Sequence, residues 1–244
     1  MRHVLQRKHT RDEEGLIALT QELARLVERF DRRDQTLAQI DAELEGAHER
    51  VRIRGKELTE ARSKAAAKLA QVIRMHLKDL GFKQAGFEVQ VNARTEPGEY
   101  GFETIEFFFA PNPGEPTKPL RAIASSGEIS RLMLAIKTAL AQQDLVGLLV
   151  FDEIDANVGG EIAHSIGAKM RSLGANRQVL AITHMPQVAA AATYHFFVSK
   201  EVIGGRTRTG LTEVVGNQRV EELARMLGGK SKSALEHARE LLRG

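Results

Sequence analysis

The sequence predicts a layered α/β domain with parallel strands, preceded by a long coiled-coil helix. Three observations lead there. Apolar residues repeat in an unbroken heptad register over the first quarter of the chain. Beyond Gly81, short apolar runs of strand type alternate with amphipathic stretches of helical type. Two of those apolar runs end abruptly in polar residues, at Asp152-Glu153 and at Thr183-His184.

The heptad run comes first. Leu16, Leu19, Leu23, Leu26, Phe30, Leu37, Ile40, Leu44, Ala47, Val51 and Leu58 follow one another at spacings of three and four, with Arg33 and Arg54 at the two skipped positions. Residues 11 to 80 contain no proline and are rich in Ala, Glu, Arg, Leu and Gln, so nothing breaks a helix there. One helix cannot bury its own stripe. A partner helix is required, and the rest of this sequence offers no second heptad run.

The pattern changes at Gly81. FEVQV (87 to 91) and FETIEFFFA (102 to 110) read as strands, with NARTEPGEYG as the turn between them. PNPGEPTKP (111 to 119) is a proline-rich loop before an amphipathic helix from about 127 to 143. Strand 147–152, helix 159–173, strand 178–182 and a short helix after Pro186 come next. Strands 194–199 and 207–215 follow, and two helices from about Asn217 close the chain. The resulting organisation is an arm over 1–80 and an α/β domain over 81–244.

Composition narrows the function classes. With 42% hydrophobic and 27% charged residues the balance is that of a globular protein, not a disordered one. The absence of cysteine excludes disulfides and thiolate metal sites within this sequence, and a reducing, cytoplasmic setting fits. No transmembrane span or secretory signal is expected, because the longest apolar runs stop near five residues and the first thirty are charged throughout. The formal charge is +3. Residues 1 to 80 hold 17 Lys/Arg against 14 Asp/Glu and the remainder 18 of each, so the whole excess lies on the arm. So slight an excess permits a polyanionic partner without requiring one.

Three segments carry chemistry. Ala124-Ser125-Ser126-Gly127-Glu128-Ile129-Ser130-Arg131 puts hydroxyls and free backbone N–H groups at a helix start, which suits an anion. Its plainer reading is a capping box, Ser125 lying three residues before Glu128. LLVFDE ends a buried strand in Asp152 and Glu153, where open α/β sheets bind ligands; an aspartate there can hold Mg²⁺ through water and a glutamate can orient an attacking water. The plainer reading is an acidic turn. VLAITHMPQVA repeats the scheme one strand later with His184, which is otherwise a loop histidine.

In this order and spacing the segments resemble the ATP-binding-cassette heads of the SMC class and, at a finer level in NPGEPTKPL, THMPQVAA and ARMLGG, the RecN family. ASSGEISR is similar to the signature motif, LLVFDE to Walker B, IDANVGG to the D-loop and ITHMPQVA to the switch-histidine loop. The resemblance implies the C-terminal lobe of a P-loop NTPase head, with the returning arm helix before it. It also implies ATP and Mg²⁺ as ligands and a role in DNA double-strand-break repair and recombination. Asp152 would serve Mg²⁺, Glu153 the catalytic water, His184 the γ-phosphate and Asp155 communication across a dimer. Ser125, Ser126, Gly127 and Glu128 would bind the nucleotide of the opposite head. Ser126 stands where the family usually has the first of two glycines, and serine would be strained if that position needed a positive φ.

A P-loop of the form G-x-x-x-x-G-K-[ST] is expected in such a head and does not occur in this sequence. Gly228-Gly229-Lys230-Ser231 comes nearest, but the earlier glycine falls on Ala224 and no strand precedes it, so it reads as a helix-ending turn. The expected partners are an N-terminal half carrying the P-loop and the second arm helix, a second head, and DNA, with no membrane. The chain alone should bind ATP weakly and hydrolyse it negligibly. Arg50, Arg52, Arg54, Lys56, Arg62, Lys64 and Lys68 form a basic stretch for DNA, or else a solvated coiled-coil face. The rival functions are a non-hydrolysing coiled-coil tether and another SMC-like chromosome protein. The expected setting is the nucleoid.

Overall fold

A computed structural model describes residue 4 and residues 8–10, 12–203, 205–229 and 231–243. The chain forms two compact units, Met1–Glu60 with Glu96–Phe102, and Ala61–Thr95 with Glu103–Gly244.

Helix α1, Glu13–Asp79, begins with Glu13 and Glu14 at its positive end and finishes with His76 and Lys78 at its negative end, the favourable polarity for its dipole. At about 1.5 Å per residue its 67 residues extend roughly 100 Å. Within the first unit its heptad stripe faces solvent: Leu23, Leu37, Ile40 and Leu44 are each about half exposed. Gly55 is buried beneath the Phe102 ring, whose nearest carbon would lie 2.2 Å from an added Cβ, so only glycine admits that contact. Within the second unit the same helix joins the core through Ala70, Ile73 and Leu77.

Strands β1 (Gly86–Gly98), β2 (Gly101–Ala110) and β3 (Lys118–Pro119) form a three-stranded sheet in that order. The turn expected over 92–101 shrinks to Glu99 and Tyr100, because β1 continues through Pro97; β1 is an edge strand, where a proline is tolerated. A short 3-10 turn, Leu120–Ala122, leads into α2, Ser126–Ala139. Strand β4 (Leu148–Phe151), helix α3 (Gly160–Gly174), strand β5 (Gln178–Ala181) and helix α4 (Pro186–Ala191) follow. Strands β6 (Phe196–Ile203) and β7 (Arg206–Glu213) precede α5 (Gly216–Met226) and α6 (Lys232–Arg243).

The expectation of parallel strands holds for one pair alone among the described residues. β4 and β5 run parallel with Phe151 opposite Ala181, joined through α3, whereas β2–β3 and β6–β7 are antiparallel. Connection length decides this: two residues separate β6 from β7, and a parallel crossover needs a dozen or more.

The main core packs Ile73 and Leu77 of α1 against Phe87, Phe109, Leu132, Leu149, Phe151 and Ile166. Phe82 meets Phe109 edge to face at 5.3 Å. A smaller cluster joins Ala189 and Ala190 of α4 to Leu223, Ala224 and Ala238. Arg219 donates to the carbonyls of Ala189, Ala190, Ala192 and Thr193, and Arg171 to that of Ala191, so two guanidiniums cap α4. One face of β4 and β5 has no cover among the described residues: Leu149 and Phe151 are buried, but Leu148, Val150 and Leu180 are half exposed or more. No helix among the described residues is long and apolar enough to cross a membrane.

Candidate functional site

Because β4 and β5 are parallel neighbours, the residues following them emerge at the same edge. The Ile182 amide still donates to the Phe151 carbonyl at 3.0 Å, so Asp152-Glu153 and Thr183-His184 leave the pair side by side. Asp152, Glu153 and His184 are exposed, the His184 side chain by 70%.

The start of α2 lies against this edge. Ser125 is the N-cap, its hydroxyl accepting from the Glu128 amide at 3.4 Å. Ser126 opens the helix and is not among the residues with positive φ; the strain that serine would suffer there does not arise. Its hydroxyl donates to the Glu153 carboxylate. Gly127 is buried, and a Cβ on it would meet the Ala156 Cβ at 3.0 Å and the Glu153 carbonyl at 3.2 Å. Here close approach, not backbone conformation, favours glycine. Ser130, one turn on, donates to the Asp152 carbonyl at 2.8 Å.

The turn after β4 is held from both sides. Glu153 (φ 53°) and Asn157 (φ 58°) both adopt the left-handed conformation, which asparagine tolerates and glutamate adopts at a cost of about 1 kcal/mol. Between them Ile154 and Asp155 are fully buried. The Asp155 carboxylate accepts from the Thr183 hydroxyl and from the amides of His184 at 3.0 Å and Met185 at 3.1 Å; its other oxygen lies 3.4 Å from His184 Nδ1. In this chain Asp155 therefore engages the loop that follows β5, including the His184 ring through Nδ1.

Arg131 is a buried charge at this edge that sequence reasoning passed over. It is 8% exposed, donates to the carbonyls of Ile154 at 3.3 Å and Ala156 at 3.0 Å, and stacks 5.1 Å above the Phe82 ring. Burial holds its pKa below the usual arginine range, against the opposing charge of Glu128. The signal was available: Arg131 follows Gly127 by four residues and precedes Leu134 and Ala135 by three and four, placing a charge on the buried stripe of an amphipathic helix.

Of the basic stretch, Arg52 pairs with Glu49 and Arg54 with Glu57, both on α1, and Arg62 pairs with Glu103 at 2.5 Å, the Glu103 side chain being fully buried. Arg50, Lys56, Lys64 and Lys68 are exposed with no ion pair among the described residues. The Gly228-Gly229 turn has φ of +105° and +150°, and the Gly229 amide donates to the Ala224 carbonyl, which is a helix C-cap; Lys230 lies outside the described residues.

Comparison with known proteins gives these features their context. No family model matches the chain. Among curated proteins, the DNA repair protein RecN of Halalkalibacterium halodurans is 36% identical over 249 residues, covering 98% of this chain and 44% of that protein. RecN of Deinococcus radiodurans is 40% identical, covering 92% and 39%, and RecN of Treponema pallidum is 47% identical, covering 68% and 30%. The chain thus spans less than half the length of these relatives. Among solved structures, an Smc head domain with an extended coiled coil from Pyrococcus furiosus, bound to the C-terminal domain of ScpA, shares the fold. Its TM-score is 0.53 at 19% identity, covering 88% of this chain and 50% of that one.

Proposed function

The chain belongs to the RecN family of DNA repair proteins over the part of those proteins that it spans, and on that premise we propose that it is the signature and Walker B half of an ATP-hydrolysing head acting in DNA double-strand-break repair. The observation that carries this reading is the convergence at one edge of Asp152-Glu153, His184 and the N-terminus of α2. Glu153 would orient or deprotonate the attacking water, and His184 would hydrogen-bond the transferring phosphoryl group. Ser125, Ser126, Gly127 and Glu128 would receive the γ-phosphate of a nucleotide held by a second head, where hydroxyls, free amides and the helix dipole favour an anion. Closure of two heads around ATP would then be coupled to hydrolysis and reopening.

Mg²⁺ fits the donor set. Among the described residues no three acidic or histidine side chains converge, so the exposed Asp152 carboxylate would be the protein's share in holding the ion, which would supply neutralisation of phosphate charge. The phosphate cradle would come from a P-loop half. Two uncovered surfaces support such a partner: the apolar face of β4 and β5, and the heptad stripe of α1.

The test is ATP turnover with Mg²⁺ for the chain alone, for the chain assembled with its P-loop half, and for that assembly carrying E153Q. Turnover in the unsubstituted assembly alone, with E153Q losing on the order of a hundredfold or more, is the expected result. An assembled but inactive protein would instead indicate a tether whose LLVFDE segment is structural.

A further inference from the structure

We propose that Arg131 is a positioning residue for hydrolysis, fixing the Asp152–Ala156 segment to the signature helix and relaying that position through Asp155 to His184. The inference rests on the ATPase reading and adds to it a residue that takes no part in binding nucleotide.

Three observations meet at this side chain. Its two hydrogen bonds, to the carbonyls of Ile154 and Ala156, bracket Asp155, so they act on the backbone from which the Asp155 carboxylate reaches the switch loop. Second, the bracketed stretch lies between two left-handed residues, Glu153 and Asn157, neither of them glycine. Such a conformation persists only where its surroundings over-determine it, and Arg131 and Ser130 supply that constraint from α2. Third, the guanidinium is fixed on its far side by the Phe82 ring, itself packed on Phe109, so the donor group has little freedom of its own. A planar cation that stacks through its face while one terminal nitrogen, Nη1, donates to both carbonyls is arginine chemistry; lysine can donate to both but stacks less well.

The consequence is directional. Anything that displaces the start of α2, as a phosphate from a second head would, is carried by Ser130 and Arg131 to the backbone on either side of Glu153 and Asp155, and by Asp155 to the amides of His184 and Met185. Arg131 itself is 8% exposed, whereas Asp152 and His184 are open to solvent.

The experiment compares R131M and R131K with the unsubstituted protein by two readouts. In the assembly with the P-loop half, R131M is expected to lower kcat at least tenfold with KM for ATP within threefold, and R131K to recover part of the loss. In the full chain alone, hydrogen exchange at residues 152–157 and at the His184 and Met185 amides is expected to rise at least tenfold in R131M, with α3 unchanged. A folded R131M with unaltered kcat and unaltered exchange at 183–185 would overturn the proposal, as would exchange raised uniformly across the head, which indicates lost packing alone. If R131M does not fold, R131K decides by the same two readouts. If the unsubstituted assembly has no turnover, the ATPase reading fails, while exchange at His184 and Met185 still decides whether Arg131 is linked to the switch loop.

Discussion

Asp155 shows how much one buried carboxylate can hold. It is 2% exposed and satisfies three donors from the loop that carries His184. Replacing it with alanine leaves the His184 amide without its partner, while the Thr183 hydroxyl and the Met185 amide keep bonds within the loop, so D155A should lower unfolding stability by about 1–3 kcal/mol, measurable by urea denaturation. D155N keeps the volume but sets an amide donor or a weaker acceptor against the same groups, and should fall between. Two histidines shape the pH response. Burial pushes the pKa of His76 down, with Lys169 acting in the same sense and Asp79 against it; burial also pushes His195 down, with Arg219 adding and Glu222 opposing. Their unfolded forms take up a proton near pH ~6.5 while the folded forms resist it, so below that pH the unfolded state binds more protons. Stability should be fully present near neutral pH and decline as pH falls through about 6.5, and the paired substitution H76N/H195N should flatten the decline in a thermal-melt series.

At the level of elements, the two portions of α1 make opposite demands. Ile73 and Leu77 are fully buried in the core, whereas Leu37 and Leu44 are half exposed on a stripe that only another helix can cover. L44D should therefore leave the unfolding midpoint of this chain almost unchanged. It should weaken association with the P-loop half about tenfold or more, since a buried leucine contributes ~1.5–3 kcal/mol and 1.4 kcal/mol is a factor of ten. Titration of one half with the other, followed by analytical ultracentrifugation, measures it. The strand elements teach a different lesson. β4 and β5 are legible in LLVF and QVLA, but the register that sets Phe151 opposite Ala181 is not, because parallel pairing joins segments separated by an entire helix. Likewise the turn after β1 is two residues instead of ten, since the hydrogen-bonded pairing with β2 extends the strand past the point where side-chain alternation fades.

For the molecule as a whole, contact with DNA is the widest consequence of the proposed function. If Arg50, Lys56, Lys64 and Lys68, which carry no ion pair among the described residues, each neutralise one phosphate, affinity for duplex DNA should fall roughly a hundredfold between ~50 and ~200 mM salt. A salt-independent binding constant in a fluorescence-anisotropy titration would assign these residues to the solvated face of the arm. By itself the sequence determined what is local: the heptad stripe, the strand-then-carboxylate ending at Asp152-Glu153, the capping serine and the order of the motifs. Periodicity and capping act within a few residues and are written in residue type. Only the tertiary structure decided that Ser126 meets Glu153, that Arg131 brackets Asp155 and that Asp155 holds the loop of His184. Those partners are 23 to 29 residues apart in the chain. They meet because β4 and β5 pair in one register while α2 packs close enough, through the missing Cβ of Gly127, for short side chains to reach across.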